Sequence, residues 1–187
     1  MGKKNNMIIQ AIAYLVAKDS VRIDSSVSLF KLLFFADRYH LRMYGSTITG
    51  DKYVAMDMGP VPSEAKTMLD LSKKGSKLQE YVEWEGDGFS SVQNPDMDEF
   101  SESEIEALDV VIKFHKNHST MGTLIDFSHQ LTEWKKPSSK LRLDKGMELM
   151  RWEDWFESGP ANDYCPADCE RLKAAHDYWK RARKQII

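Results

Sequence analysis

Long apolar runs, cysteines and, over one extended stretch, cations are what this sequence lacks. No apolar run approaches the roughly 18 residues that a membrane-spanning helix needs, which excludes that class. The opening "MGKKNNM" lacks the layout of a secretory leader, so the expected compartment is the cytoplasm. Only two cysteines occur, Cys165 and Cys169 in "CPADC". A disulfide framework is thereby excluded and reduced thiols are expected. With His176 nearby they would supply three of the four ligands of a structural zinc site, but no fourth is evident, so neither metal nor cofactor is expected. There is no internal repeat and no low-complexity linker. With 187 residues, 42% hydrophobic and 29% charged, the chain has the composition of a soluble domain. Residues 1–160 are expected to form it, with 161–187 as a basic amphipathic helix packed on it or extending it.

The missing cations are confined to one block. Residues 78–112 contain no Lys or Arg and eleven acids, a net charge of −11, whereas 1–77 carry +5 and 113–187 carry +3. Such a block is either a solvated face that keeps the protein soluble or a surface for a cationic partner.

Periodicity and punctuation give a coarse element order. Residues 7–17 are almost wholly apolar and predict a buried first helix. Asp24, Ser25 or Ser26 can cap a second helix that stops at Gly45. The stretch "TITGDKYVAMDMGPVPSE" predicts a short strand or extended crossing with a bend at Gly59 and Pro60, then a third helix over about 63–74. "LQEYVEWEGDGFSSVQ" alternates around "EGDG" and predicts a β-hairpin. Phe100, Ser101, Glu104 and Ile105 match a hydrophobic staple around a capping box, with Ile105, Leu108, Ile112 and His115 as the apolar stripe of that helix. Further helices are expected over 120–134 and about 146–156. A last one is expected to start near Pro166 and end in "WKRARKQ". The fold class is mainly α with minor β: a winged-helix-like core (helix, helix, strand, helix, hairpin) followed by further helices.

A winged helix raises the possibility of DNA binding, and charge opposes it. A wing laid along phosphates should be basic, but this hairpin bears Glu80, Glu83, Glu85 and Asp87. The third helix offers Lys66, Lys73 and Lys74 but no arginine to read guanine edges. Catalysis is also disfavoured. His40 falls on the stripe opposite Asp37, so the two do not converge, and no phosphate loop or activated nucleophile is apparent.

The second helix holds the least expected residue. In "KLLFFADRYHLRMYG", Leu29, Leu33, Ala36, His40 and Met43 form one apolar face, and Phe30, Phe34, Asp37, Leu41 and Tyr44 a second. Lys31, Phe35, Arg38 and Arg42 make a basic edge expected to be exposed. A carboxylate among Phe30, Phe34 and Leu41 would cost several kcal/mol if buried without a partner. Asp37 therefore either has an internal partner, such as a cation or a loop amide, or lies open to an external one.

The block "KLLFFADRYHLRMYGSTITGDKYVAMDMGPVPSEAKTML", together with the later "DFSHQLTEW", resembles the Panacea domain, also called the SocA-like antitoxin domain, found in phage-associated proteins. The resemblance implies an antitoxin that binds and neutralises a toxin encoded beside it; delivery of the toxin to a protease is the alternative. The residues that match the family signature are Lys31, Phe35, Ala36, Asp37, Tyr39, Gly45, Thr49, Gly50, Asp51, Tyr53, Ala55, Gly59, Pro60 and Val61, then His129 and Trp134. Lys31, Phe35, Ala36, Gly45, Gly50, Gly59, His129 and Trp134 are expected to be architectural. Asp37, Arg38, Tyr39, Asp51 and Tyr53, with Phe34, Met56 and Pro60, are expected to form or buttress a partner-binding patch, joined by the acids Glu80, Glu83 and Glu85. The expected partner is a cognate toxin protein that is basic and acts on RNA or nucleotides, with neither membrane nor nucleic acid as a direct partner.

Overall fold

Helix α1 (Lys3–Lys18) and helix α2 (Ser26–Tyr44) open the computed structural model, which describes residues 3–18, 22–70, 76–144, 147–157, 159–160 and 163–184. The Ser25 hydroxyl caps α2 by accepting from Ser28 N at 3.0 Å. Gly45 ends it in the left-handed conformation (φ 81°) and donates its N–H to Leu41 O. Residues 28–42 of α2 are all buried. A helix covered on every side is the axis of its domain, and here the other elements are wrapped around it.

After α2 the chain forms β1 (Tyr53–Met56) and β2 (Gly59–Pro62), which pair antiparallel as a tight hairpin with Met56 opposite Gly59. The expected single strand or crossing is thus two strands. Gly59 and Pro60, which read as a bend, lie in β2 with Pro62, and β2 is tolerant of the two prolines because it is the edge of the sheet β2-β1-β5. Helix α3 (Ser63–Asp70) follows; the expected extension over 71–74 lies outside the described residues. The hairpin predicted at "EGDG" is present as β3 (Val82–Trp84) and β4 (Phe89–Ser91). It forms a separate two-stranded sheet, so this wing does not join the strands of the core hairpin.

Helix α4 (Glu102–Asn117) has the expected reciprocal capping box between Ser101 and Glu104. The helix expected over 120–134 is two: α5 (Met121–Ser128) and α6 (Thr132–Asp144). At the break the Ser128 hydroxyl donates to Ile125 O, a local bond that competes with the helical ladder. Pro137 sits inside α6 and removes one further ladder donor. Over 146–156 the expected helix is replaced by β5 (Glu148–Leu149), paired with Val54 and Ala55 of β1, and a 3-10 turn at Trp152–Phe156; Gly146 is not among the described residues. Non-local pairing with β1 overrides local helix propensity there.

Helix α7 (Cys169–Lys184) begins three residues later than the Pro166 start expected, because Asp168 caps it by accepting from Arg171 N at 2.8 Å. It lies across the C-terminus of α2. A Cβ at Gly45 would stand 2.6 Å from Ala175 O and 2.8 Å from the Tyr178 ring, so the helices approach closely only over glycine. The molecule is mainly helical with a small antiparallel β component, and no helix among the described residues is long and apolar enough to cross a membrane.

Candidate functional site

Asp37 is fully buried in the middle of α2. Its carboxylate accepts from Ile48 N (2.8 Å), Thr49 N (2.9 Å), the Thr49 hydroxyl and the Tyr53 hydroxyl (2.8 Å). The internal loop-amide partner is therefore the one realised, and Asp37 ties residues 48–49 and β1 to the helix. Burial pushes its pKa up to about 6, against the opposing pull of the bonds from Thr49, Tyr53 and Ile48. Asp51, two residues past that loop, accepts from Glu64 N (3.0 Å) and Ala65 N (2.9 Å) and so caps α3 from a distance. Both acids are spent on backbone donors that the chain cannot otherwise satisfy.

The basic edge of α2 is also inside. Lys31 is fully buried and donates to Pro60 O at 2.8 Å, which clamps β2 against the helix. Burial lowers its pKa to about 7. Gly59 (φ 95°) passes over this lysine; a Cβ there would meet Ser128 Oγ at 2.5 Å and Lys31 Cε at 2.7 Å. Arg38 donates from Nε to Glu133 Oε1 and, through both terminal nitrogens, to the two oxygens of Asp163 at 2.8 Å. Its burial opposes the charge, but Glu133, Tyr164 and Asp163 more than offset that and hold the guanidinium ionised, its pKa well above the ordinary value. Arg42 donates to Trp155 O (2.7 Å) and Glu157 O (2.6 Å). The expected exposed edge is overturned because the Pro60 carbonyl, 29 positions on, covers Lys31, and acids and carbonyls more than ninety positions later fold over Arg38 and Arg42.

The remaining candidate positions complete a frame. Phe34 packs edge-on against Tyr53 (5.4 Å) and Trp155 (4.9 Å). Tyr39 donates its hydroxyl to Glu106 at 2.7 Å. His129 stacks on Trp134 at 3.8 Å, and the Trp134 ring donates to Met56 O at 3.1 Å, which pins the turn of the β1–β2 hairpin. Met56 is half-buried and Pro60 buried. Of the expected partner-binding set, Phe34, Asp37, Arg38, Tyr39, Asp51, Tyr53 and Pro60 are therefore withdrawn from the surface, and Glu80, Glu83 and Glu85 are exposed. The two groups do not share a patch.

The acidic block divides in the same way. Asp109 accepts from the Tyr14 hydroxyl (2.9 Å), Glu106 from Tyr39 and Tyr44, and Glu104 serves the helix cap. These acids support the core. On the wing, Arg22 binds Glu85 (3.2 Å) and Asp87 (2.8 Å) and clips the hairpin to the segment before α2. Glu80 and Glu83 stay exposed beside Trp84, which is 51% exposed. The sequence did not single out Trp84: alternation places it on the face of the buried Val82, opposite Glu83 and Glu85, and only the structure shows that face left half open at Trp84.

Among the described residues no group of three or more His, Cys, Asp or Glu side chains is placed to hold a metal ion. Cys165 is buried, Cys169 exposed, and His176 stacks on Phe156 at 4.5 Å.

A family model described as "Antitoxin SocA-like, Panacea domain" matches residues 29–135, from the first turns of α2 to just past Trp134. No curated protein and no solved structure matches the chain.

Proposed function

Because the chain belongs to the SocA-like Panacea antitoxin family, matched over more than half of its length, we propose that it is a cytoplasmic antitoxin that neutralises a cognate protein toxin by direct binding. The observation that carries this reading is the division of charge. The charged side chains of α2 are consumed by an internal frame, while the wing presents exposed carboxylates with no cation of its own strands among them and, among the described residues, only Arg22, shared by Glu85 and Asp87, against them. A surface of that kind suits a basic partner, and a toxin that acts on RNA or nucleotides presents such a cationic groove. Binding is the activity; the groups that sequence reading weighed for catalysis, Asp37, His40 and His129, lie in separate structural contacts.

The test is expression of the neighbouring open reading frame with and without this chain. Growth arrest that this chain relieves, with a stable complex recovered, supports the reading. Relief accompanied by protease-dependent loss of the toxin would replace direct neutralisation by delivery to a protease. No relief at all would overturn both.

The charge argument yields a kinetic expectation. Exposed charges are screened over about 8 Å at physiological ionic strength, so association with the toxin should slow steeply as salt is raised. Replacing Glu80, Glu83 and Glu85 together by glutamine should slow association about tenfold at low salt and lower the melting temperature only slightly, since Arg22 keeps Asp87 and an exposed ion pair contributes about 1 kcal/mol at most. Stopped-flow rates that are flat from low to high salt would reject an electrostatic role for the wing.

A further inference from the structure

The wing carries an aromatic anchor beside two clefts. Trp84 stands edge-on against Phe89, ring centroids 5.1 Å apart, and leaves half its surface in solvent. On one side a cleft of about 420 Å³ opens between the start of α2, the end of α3 and the wing, with Phe30 and Leu69 in its walls. On the other side a cleft of about 440 Å³ runs along Leu78, Val82 and Glu83. Trp84, Phe89 and Leu69 line both, so together they form the ridge between them.

The ridge is held in place. Phe89 N donates to Ile23 O at 2.9 Å, and Gly88 lies so close to Arg22 and Ile23 that a Cβ would stand 2.7 Å from Arg22 Nε. Val82 and Tyr81 are buried beneath it. A fixed aromatic ring with an apolar hollow on each side gives up little conformational freedom on binding, which is the property of residues that dominate interface energies.

The surrounding charge selects the occupant. Glu80 and Glu83 stand exposed on the hairpin, Glu85 and Asp87 share one cation, Arg22, and the cation lining the first cleft, Lys66, is paired with Asp70, so the wing keeps a net negative charge. Resting on the antitoxin reading above, we propose that the Trp84 ridge is the toxin-docking site, and that its occupant is a toxin segment carrying an aliphatic or aromatic side chain flanked by lysine or arginine. The apolar side chain fills a cleft against Trp84 and Phe89. The flanking cation meets Glu83 and can lie over the indole face, which attracts positive charge.

The experiment is titration of the full-length chain and its variants with the co-encoded toxin, read as affinity, beside the melting curve of each variant. Trp84→Ala should weaken binding by about thirtyfold or more, with the melt lowered only modestly because half of the ring is already in solvent. Trp84→Phe should recover most of the affinity, and Glu83→Arg, at an exposed position, should weaken binding by repulsion. Trp84→Ala binding within about twofold of the parent would overturn the site alone. No complex with the unmodified chain would overturn the antitoxin reading and the site with it. Self-association in the absence of toxin, abolished by Trp84→Ala, would assign the ridge to a second copy and overturn the toxin as occupant.

Discussion

Asp37→Ala is expected to lower the stability of the domain by about 4 kcal/mol, which for a chain of this size is a fall in Tm of about 10 °C. The substitution strips the acceptor from two backbone amides and two hydroxyls at once, those of Ile48, Thr49 and Tyr53. Each buried donor left unpaired costs about 1–3 kcal/mol, partly relieved by local rearrangement. Asp37→Asn keeps an acceptor oxygen and nearly the same shape, and should cost less than half as much. Equilibrium unfolding in urea measures both. Indistinguishable midpoints for the alanine variant and the parent would show that the loop finds other partners.

The pH dependence of that difference has a definite sign. Burial raises the Asp37 pKa from 3.8 to about 6, so between those values the folded chain binds more protons at this site than the unfolded chain. Stability from this group is therefore fully present below pH 4 and is lost as pH rises toward 6. The gap between the parent and Asp37→Ala should be widest near pH 4 and narrowest near pH 7. On the antitoxin function proposed above, any loss of neutralisation in Asp37→Ala is expected to track its loss of stability, since the carboxylate does not reach the surface.

Arg38→Met is expected to be as damaging, by about 3–5 kcal/mol, because it leaves the buried carboxylate of Glu133 without its cation and Asp163 with only Arg42 among the described residues, at 3.8 Å. Replacing the charges together is a different matter. Desolvating a complete ion-pair network costs nearly as much as its attraction returns, so the triple variant Arg38→Met, Glu133→Leu, Asp163→Asn should recover more than half of the loss. Thermal melts of the single and triple variants decide this. Equal destabilisation of the two would mean that Arg38 acts through its packing against Tyr164, over whose ring its guanidinium lies at 5.6 Å, rather than through its charge.

Both expectations concern residues whose chemistry was conspicuous in sequence and whose partners were not. A charged residue in an apolar stripe announces that it must be satisfied, and the possible satisfiers could be named by type. The actual ones lie far along the chain: Thr49 and Tyr53 for Asp37, Glu133 and Asp163 for Arg38, Pro60 for Lys31. Nothing in a 3.6-residue period specifies which distant segment will cover a given face. The basic edge of α2 reads as solvent-facing for that reason, and so does the polar part of the partner patch that proved to be internal.

What the sequence by itself determined was the set of local features with short-range causes. The limits of α2 follow from a cap among Asp24, Ser25 and Ser26 and a stop at Gly45, the start of α4 from the Ser101–Glu104 box, and the wing from alternation around "EGDG". Its mainly helical class, its family signature and the cation-free block are also present in the linear chain. Only the tertiary structure decided the rest. Pairing of Glu148–Leu149 with β1 converted an expected helix to strand, and the packing of α6, α7, residues 152–157 and Asp163 around α2 turned an expected charged surface into a buried frame. The physical reason is that burial and neutralisation of a side chain depend on chain segments brought together by the collapse of the whole core, and local propensity carries no information about which segments those are.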